Sequence, residues 1–240
     1  GILLLLFSLT IVALASFVQR PNVRRSPPLS GTSPPVLLPY DGPTERTVSM
    51  MREGREILKP TQLSLKPGTI TVVLGESGAG KTSLLRALAG LEGDEVICGH
   101  QECVYVPQKP LPLTLSVGFE LNLAASLFEK CEPASAYFSE KFSLHQKPER
   151  SPLGLSGGEM QRLILSRQLG FAPKLLLLDE CTANLGSAQV KAIETELMRH
   201  RKEGVCIVLA THNVLQAKRM ADTMVILHDG VQIEEDSQLA

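Results

Sequence analysis

A glycine-rich loop constrains this chain more than any other feature of its sequence. The loop is Gly75-Glu76-Ser77-Gly78-Ala79-Gly80-Lys81-Thr82, which has the pattern GxxxxGK[ST]. The apolar run Ile70 to Leu74 predicts a buried strand before the loop, and Thr82 to Leu88 predicts a helix after it. In such a loop, backbone N–H groups and a helix N-terminus converge on phosphate oxygens. The sequence therefore predicts a nucleoside triphosphate site, with Lys81 reaching the phosphates and Thr82 holding magnesium.

Two adjacent carboxylates follow a second apolar strand. Residues 174–178 (KLLLL) predict a strand that ends in Asp179 and Glu180. The carboxyl ends of parallel strands meet at one edge of a sheet, where ligands bind. Asp179 is therefore a candidate magnesium ligand, and Glu180 is placed to polarise a water that attacks the terminal phosphate. A solvated acidic strand end is the alternative interpretation.

A second anion site is predicted at Leu155-Ser156-Gly157-Gly158-Glu159, where serine and glycines begin a helix. Taken alone, such a turn is more often only a helix cap. His212 ends another predicted strand, Val205 to Ala210, and a lone histidine there is as often a cap as a ligand.

Taken together, these landmarks resemble those of the ATP-binding cassette (ABC) ATPases. The resemblance covers about residues 47–235 and includes Gln108 in Val106-Pro107-Gln108. It implies a P-loop NTPase of the α/β class, with a parallel core sheet, a small antiparallel β-subdomain and an inserted helical subdomain at about 111–169. It also implies an ATP-hydrolysing subunit that dimerises around two ATP molecules and drives transmembrane permease subunits, with an importer-like character.

The resemblance assigns roles to individual residues. Catalysis would fall to Glu180, His212 and Gln108, and magnesium would be held by Thr82, Gln108 and Asp179. The second cassette, in a homodimer or heterodimer, would complete each site with Ser156, Gly157, Gly158 and Glu159. The nucleotide itself would be bound by Gly75, Glu76, Ser77, Gly78, Ala79, Gly80, Lys81, Thr82 and Ser83.

Three positions depart from the pattern of the family. Cys181 stands where proline is usual, and Gly186 stands where aspartate closes the next loop, so communication between the two sites of a dimer is in question. The aromatic residue that stacks on adenine is replaced by the stretch 50–52 (MMR), which predicts a thioether or guanidinium contact with the base. A soluble ABC-type ATPase acting in assembly or regulation, and a low-activity subunit of a heterodimer, are the alternative functions.

Composition restricts the other classes of function. A net charge of −1 and the absence of tryptophan give no indication of a surface that binds nucleic acid. The five cysteines are scattered and odd in number, which favours a reducing compartment over a disulfide framework. The pair Cys98 and Cys103 around His100 is better explained by core thiols than by a metal site.

The amino terminus reads as a separate segment. Residues 1–18 are apolar and uncharged, and three arginines follow in a stretch rich in proline and serine. This pattern resembles a signal peptide with a plastid transit peptide, and a membrane anchor is the alternative. The sequence predicts that residues 1–40 are a disordered leader or anchor, that residues 41–240 form the ATPase domain, and that membrane association otherwise comes from partner subunits.

Overall fold

The computed structural model describes residues 29–92, 103–109, 111–127, 134–144, 148–183 and 185–233. Its chain divides into two compact units. The first contains the described residues within Gly1–Val36, Lys109–Ala172 and Thr182–Ile193, and the second contains those within Leu37–Gln108, Pro173–Cys181 and Glu194–Ala240. The elements in chain order are β1 (Glu45–Arg52), β2 (Arg55–Ser64), β3 (Ile70–Leu74), α1 (Lys81–Leu88), β4 (Cys103–Val106), α2 (Val117–Leu127), α3 (Ser135–Lys141), a 3-10 turn (Pro152–Gly154), α4 (Gly157–Leu169), β5 (Leu175–Asp179), α5 (Ser187–Lys202), β6 (Cys206–Thr211), α6 (Val214–Met220), β7 (Thr223–His228) and β8 (Val231–Ile233).

A six-stranded sheet forms the centre of the second unit. Its strand order is β4-β5-β6-β3-β7-β8, and every neighbouring pair is parallel except β7 with β8. Strands β5 and β6 are buried along their whole length. Parallel strands covered on both faces read as continuous apolar runs, which is why these segments were recognisable in the sequence. The strands β3, β5 and β6 end at one edge, and that edge carries the loop 75–83, Asp179, Glu180 and His212.

A smaller antiparallel sheet of β1 and β2 completes the strands of this unit. Alternate residues point inward along β1, where Val48 and Met50 are buried. They join a core that includes Leu58, Leu84 and Val208, which lie on β2, α1 and β6. The predicted antiparallel subdomain is therefore represented by these two strands among the described residues.

Three helices and a short turn make up most of the first unit. Phe138 and Phe142 stack with ring centroids 5.9 Å apart inside it. Glu120 on α2 is fully buried and forms an ion pair of 2.7 Å with Arg167 on α4. Because a buried charge is costly without a partner, this pair ties α2 to α4.

The observed elements differ little from the predicted ones. Helix α1 begins one residue before the prediction, at Lys81. Strands β5 and β6 begin one residue later than predicted, at Leu175 and Cys206. Strands β7 and β8 form an antiparallel pair.

The prediction that residues up to 40 do not pack into the fold is wrong for the segment 29–40. The carbonyls of Ser30 and Gly31 accept hydrogen bonds of 3.0 Å from Ala136 N and Tyr137 N. These N–H groups belong to the first turn of α3 and have no acceptor within the helix. Tyr40 is buried in the second unit, and its N–H donates to Gly204 O at 2.9 Å. The proposed leader 1–18 lies outside the described residues.

Gly204 explains how Pro39 and Tyr40 pack within the second unit. It adopts φ +91°, a conformation that favours glycine, and an added Cβ would lie 2.6 Å from Pro39 Cβ. The neighbouring Asp41 forms an ion pair of 2.8 Å with Lys174. The strap 29–40, although rich in proline and serine, thus packs into the fold, because Ser30 and Gly31 find backbone partners within the first unit and Tyr40 finds one within the second.

Candidate active site

The glycine-rich loop has the backbone that an anion site requires. Gly78 and Gly80 have φ values of +89° and +100°, and Gly80 is the N-cap of α1. Residues with a Cβ rarely adopt these angles, so glycine is needed at both positions. Successive N–H groups in such a turn point to one side and form a concave anion site at the start of the helix. Residues 76–78 are exposed, and Ser83 is half-buried.

Lys81 is buried in this loop, with 4% of its side chain exposed. Its Nζ donates to the carbonyls of Gly75 and Glu76, each at 2.8 Å. It also lies 3.3 Å from Glu180 Oε1. An ammonium group carries three N–H donors, so these three contacts satisfy its hydrogen-bonding capacity. Its positive charge stays beside the loop.

Asp179 ends β5 next to the beginning of α1. Its Oδ2 accepts hydrogen bonds from Thr82 Oγ1 at 2.8 Å and from Tyr105 Oη at 3.1 Å. Its Oδ1 is buried without a hydrogen-bond partner. Burial raises the pKa of Asp179, against the two hydrogen bonds, which lower it.

Glu180 lies at the centre of the predicted catalytic residues. Its Oε2 accepts a hydrogen bond of 3.0 Å from Gln108 Nε2 and lies 3.3 Å from His212 Nδ1. Its backbone has φ +48°, which is uncommon for a residue with a side chain. The N–H of Glu180 donates to Ala210 O at 3.0 Å and holds this conformation. The fold thus brings Lys81, Gln108, Glu180 and His212 together.

The predicted metal ligands are only partly assembled. Thr82 and Asp179 are in contact, and the buried, unpartnered Oδ1 of Asp179 is an oxygen of the kind that Mg²⁺ prefers. This donor set fits Mg²⁺. The Gln108 amide instead donates a hydrogen bond to Glu180, the residue that follows the proposed ligand Asp179 in sequence.

The serine and glycine turn belongs to the first unit. Ser156 is the N-cap of α4, and Glu159 N donates to its Oγ at 3.4 Å. The Glu159 carboxylate accepts from Ser156 N at 2.8 Å and from Ser156 Oγ at 2.7 Å, which completes a capping box. Hydrogen bonds from the Ser156 side chain and backbone lower the pKa of Glu159. The turn therefore forms a helix cap, and Gly157 has open space at its Cβ.

The three departures from the family pattern have different local settings. Cys181 is buried, and this raises the pKa of its thiol to about 12. Gly186 is exposed, and an added Cβ would meet mainly the Gln189 side chain, with Oε1 at 2.6 Å. Of the residues expected near adenine, Met50 is buried in the core and Arg52 pairs with Glu92 at 2.6 Å, whereas Met51 is exposed.

Comparison with known proteins agrees with this architecture. A family model described as ABC transporter matches residues 58–183. The aliphatic sulfonates import ATP-binding protein SsuB of Delftia acidovorans is 36% identical over 195 residues, which cover 78% of this chain and 79% of that protein. The spermidine/putrescine import ATP-binding protein PotA of Salmonella typhimurium is 29% identical over 208 residues. That match covers 79% of this chain and 55% of PotA, so the chain spans about half the length of this relative.

A solved structure described as an ATP binding subunit of an ABC transporter has the same fold. It aligns with a TM-score of 0.70 at 21% identity and covers 81% of this chain and 91% of its own. The fold and the loop define a P-loop NTPase, and the predicted fold class is confirmed. The chain belongs to the ABC transporter family. It is an ATPase subunit of a transporter, as the resemblance implied.

Sequence reasoning missed one residue of the site, Tyr105. It lies in β4 between two buried valines, so the alternation of that strand marks it as facing the other side of the sheet. Burial, followed by the charge of Asp179, raises its pKa above the ordinary value for tyrosine. The sequence feature that could have indicated Tyr105 is its place as a polar aromatic residue three positions before Gln108.

Proposed function

We propose that this chain binds ATP on the loop 75–83 and hydrolyses it with Glu180 as the group that polarises water. The observation that carries the proposal is the cluster around Glu180, whose carboxylate contacts Lys81, Gln108 and His212 at the edge where the sheet strands end. A carboxylate fixed by several donors beside a phosphate-binding loop is suited to orient a nucleophile.

Lys81 is proposed to transfer its hydrogen bonds from the two loop carbonyls to phosphate oxygens. The gain for Lys81 is hydrogen bonding to a negatively charged acceptor in place of uncharged carbonyl oxygens. Glu180 would then be relieved of part of the attraction from Lys81 and could accept a proton from water. His212, which is exposed, and Gln108 are proposed to orient that water and to sense the terminal phosphate.

Magnesium is proposed to be held by Asp179 and Thr82, with Gln108 joining when it leaves Glu180. Bound Mg²⁺ supplies neutralisation of phosphate charge. The support in this chain is the buried Oδ1 of Asp179, which has no other partner. Thr82 keeps the same carboxylate in place through its other oxygen.

The assembly is proposed to be a dimer of cassettes bound to transmembrane permease subunits. The relatives SsuB and PotA are named as import proteins, which supports an importer. A second cassette would supply Ser156, Gly157, Gly158 and Glu159 to each site, since the first N–H groups of a helix have no acceptor within the helix and favour anions.

The cargo is proposed to be chosen by the permease rather than by this chain. One relative is named for sulfonates, which are anions, and the other for spermidine and putrescine, which are cations. Association with the membrane through the permease follows from this assembly. Within the residues that the structure describes, none of the helices has the length and apolar character of a membrane span. Delivery to a plastid stays a prediction about residues 1–40.

The test compares Lys81→Ala with Glu180→Gln. Lys81→Ala should abolish ATP binding, measured by titration with a fluorescent ATP analogue, because the loop loses its charge. Glu180→Gln should retain binding and lose turnover, and an ATP-stabilised dimer should then accumulate on a sizing column. Normal turnover in Glu180→Gln would show that another group polarises water.

A further inference from the structure

The two oxygens of the Asp179 carboxylate have different environments. Oδ2 accepts two hydrogen bonds, from Thr82 on α1 and from Tyr105 on β4. Oδ1 is buried and accepts none. Two donors from different elements fix the plane of the carboxylate, so they also determine where Oδ1 points.

The register of the sheet explains why Tyr105 reaches this carboxylate. Strand β4 pairs with β5 in parallel, with Tyr105 opposite Leu177. Alternate residues of a strand share a face, so Leu177 and Asp179 lie on one side, and Tyr105 lies on that side too. Asp179 lies two residues beyond Leu177, and the tyrosine side chain is long enough to reach it. The Tyr105 hydroxyl lies 3.1 Å from Oδ2.

Tyr105 differs from Thr82 as a hydrogen-bond donor. The Thr82 hydroxyl is itself proposed to hold the metal, and its position changes with a single side-chain rotation. The Tyr105 oxygen is fixed by a rigid ring that packs against the core of the second unit. A phenol hydroxyl carries one donor, and here that donor is used by Oδ2 of Asp179.

We propose that Tyr105 is a positioning residue for the divalent metal site, where it holds Oδ2 of Asp179 so that Oδ1 remains directed toward the ion. This inference rests on the proposed function, in which Asp179 and Thr82 hold Mg²⁺. Removal of a residue that hydrogen-bonds to a metal ligand and orients it commonly lowers metal affinity by about 10- to 100-fold.

The experiment removes one oxygen with Tyr105→Phe, which keeps the ring and its packing. A fluorescent ATP analogue is first titrated in EDTA, and Mg²⁺ is then titrated into the protein with the analogue bound. The Mg²⁺ midpoint should rise about tenfold, whereas the metal-free affinity for the analogue should stay within about twofold. Mn²⁺ binding followed by electron paramagnetic resonance should weaken in the same proportion, which reports on the metal without turnover.

Tyr137→Phe is the matched control, because it removes the same oxygen from a half-buried tyrosine of the first unit. It should leave the Mg²⁺ midpoint unchanged. An unchanged midpoint in Tyr105→Phe, or an equal loss of metal-free and metal-dependent nucleotide binding, would overturn the inference.

Asp179→Asn separates this inference from the proposed function. If Asp179→Asn raises the Mg²⁺ midpoint and Tyr105→Phe does not, only the role of Tyr105 is wrong. If Asp179→Asn also has no effect on the midpoint, the proposed metal site itself is wrong.

Discussion

At the scale of single residues, Glu180 combines an unusual backbone with a crowded carboxylate. A left-handed conformation for a residue with a Cβ costs on the order of 1 kcal/mol, and here the hydrogen bond from its N–H to Ala210 O offsets the cost. The carboxylate is thereby turned toward Lys81, Gln108 and His212. No pattern in the sequence predicted this conformation, although the sequence did predict the residue.

Gly186 offers a test of the departures from the family pattern. It lies at the start of α5, where its carbonyl accepts from Val190 N at 3.0 Å, and its φ is not in the left-handed region. Gly186→Asp should therefore fold without strain, because the new Cβ displaces only the flexible end of Gln189. We expect higher cooperativity or turnover in the assembled dimer, with monomer ATP affinity within about threefold, or ~0.7 kcal/mol.

The measurement is ATPase rate against ATP concentration for both forms. Gln189→Ala is the matched control, since it removes the side chain that the substitution would displace. Superimposable curves for wild type and Gly186→Asp would mean that the missing aspartate has no functional consequence.

At the scale of elements, the first unit depends on the buried ion pair between α2 and α4. Glu120 accepts from Thr114 N at 2.6 Å as well as pairing with Arg167. Glu120→Ala should leave the buried Arg167 guanidinium without a counter-charge and lower the free energy of unfolding by about 3–5 kcal/mol. Thermal unfolding followed by circular dichroism measures the change.

Glu140→Ala is the control for this prediction. Glu140 is exposed on α3 of the same unit, and its removal should change the free energy of unfolding by no more than about 0.5 kcal/mol. Equal effects of the two substitutions would show that the buried pair has no special role in stability.

The elements also show how far sequence patterns could predict the fold. Apolar runs located β3, β5 and β6 within a residue, because strands covered on both faces have no polar alternation to obscure them. Glu120 went unpredicted as a structural residue. Its partner Arg167 is 47 positions away, and a pairing over such a distance leaves no periodic signal.

At the scale of the whole molecule, the strap 29–40 should contribute to stability. A chain that begins at Asp41 lacks the buried Tyr40 and Leu37 and the hydrogen bond to Gly204 O. Compared with a chain that begins at position 29, we expect a loss of about 3–5 kcal/mol, similar to deletion of a large aromatic side chain from a core. Thermal unfolding of the two chains measures this difference.

Tyr40→Ala in the longer chain should reproduce most of that loss. Tyr40→Phe, which removes only the hydroxyl bonded to Pro43 O, should cost about 1 kcal/mol. Equal melting temperatures for the chains beginning at 29 and at Asp41 would restore the original prediction that the fold begins at 41.

His200 should make stability depend on pH. Burial lowers its pKa to about 4, while a hydrogen bond with Glu196 O opposes the shift. Its Nε2 is buried without a partner. Between about pH 6.5 and pH 4 the unfolded chain binds a proton that the folded chain does not, so the free energy of unfolding falls as pH is lowered. The stability that depends on neutral His200 is fully present above about pH 6.5. Within the window, the free energy of unfolding changes by at most ~1.4 kcal/mol per pH unit.

His200→Leu should flatten this slope in unfolding measurements between pH 7 and pH 5. His228→Gln changes an exposed histidine of the same unit and should retain the slope of the wild type. A slope that is unaffected by His200→Leu would assign the pH dependence to other groups.

The sequence by itself determined the phosphate-binding loop, the strands on either side of the site and the identity of the candidate catalytic residues. These features depend on neighbours in the chain, such as glycines in a tight turn and apolar runs in buried strands. Only the tertiary structure decided that Tyr105 holds Asp179, that Gln108 contacts Glu180 and that the strap 29–40 is part of the fold. Each of these contacts joins residues far apart in sequence. Such contacts depend on the register between strands and on the need of buried backbone groups to form hydrogen bonds, and neither is visible in a local sequence pattern.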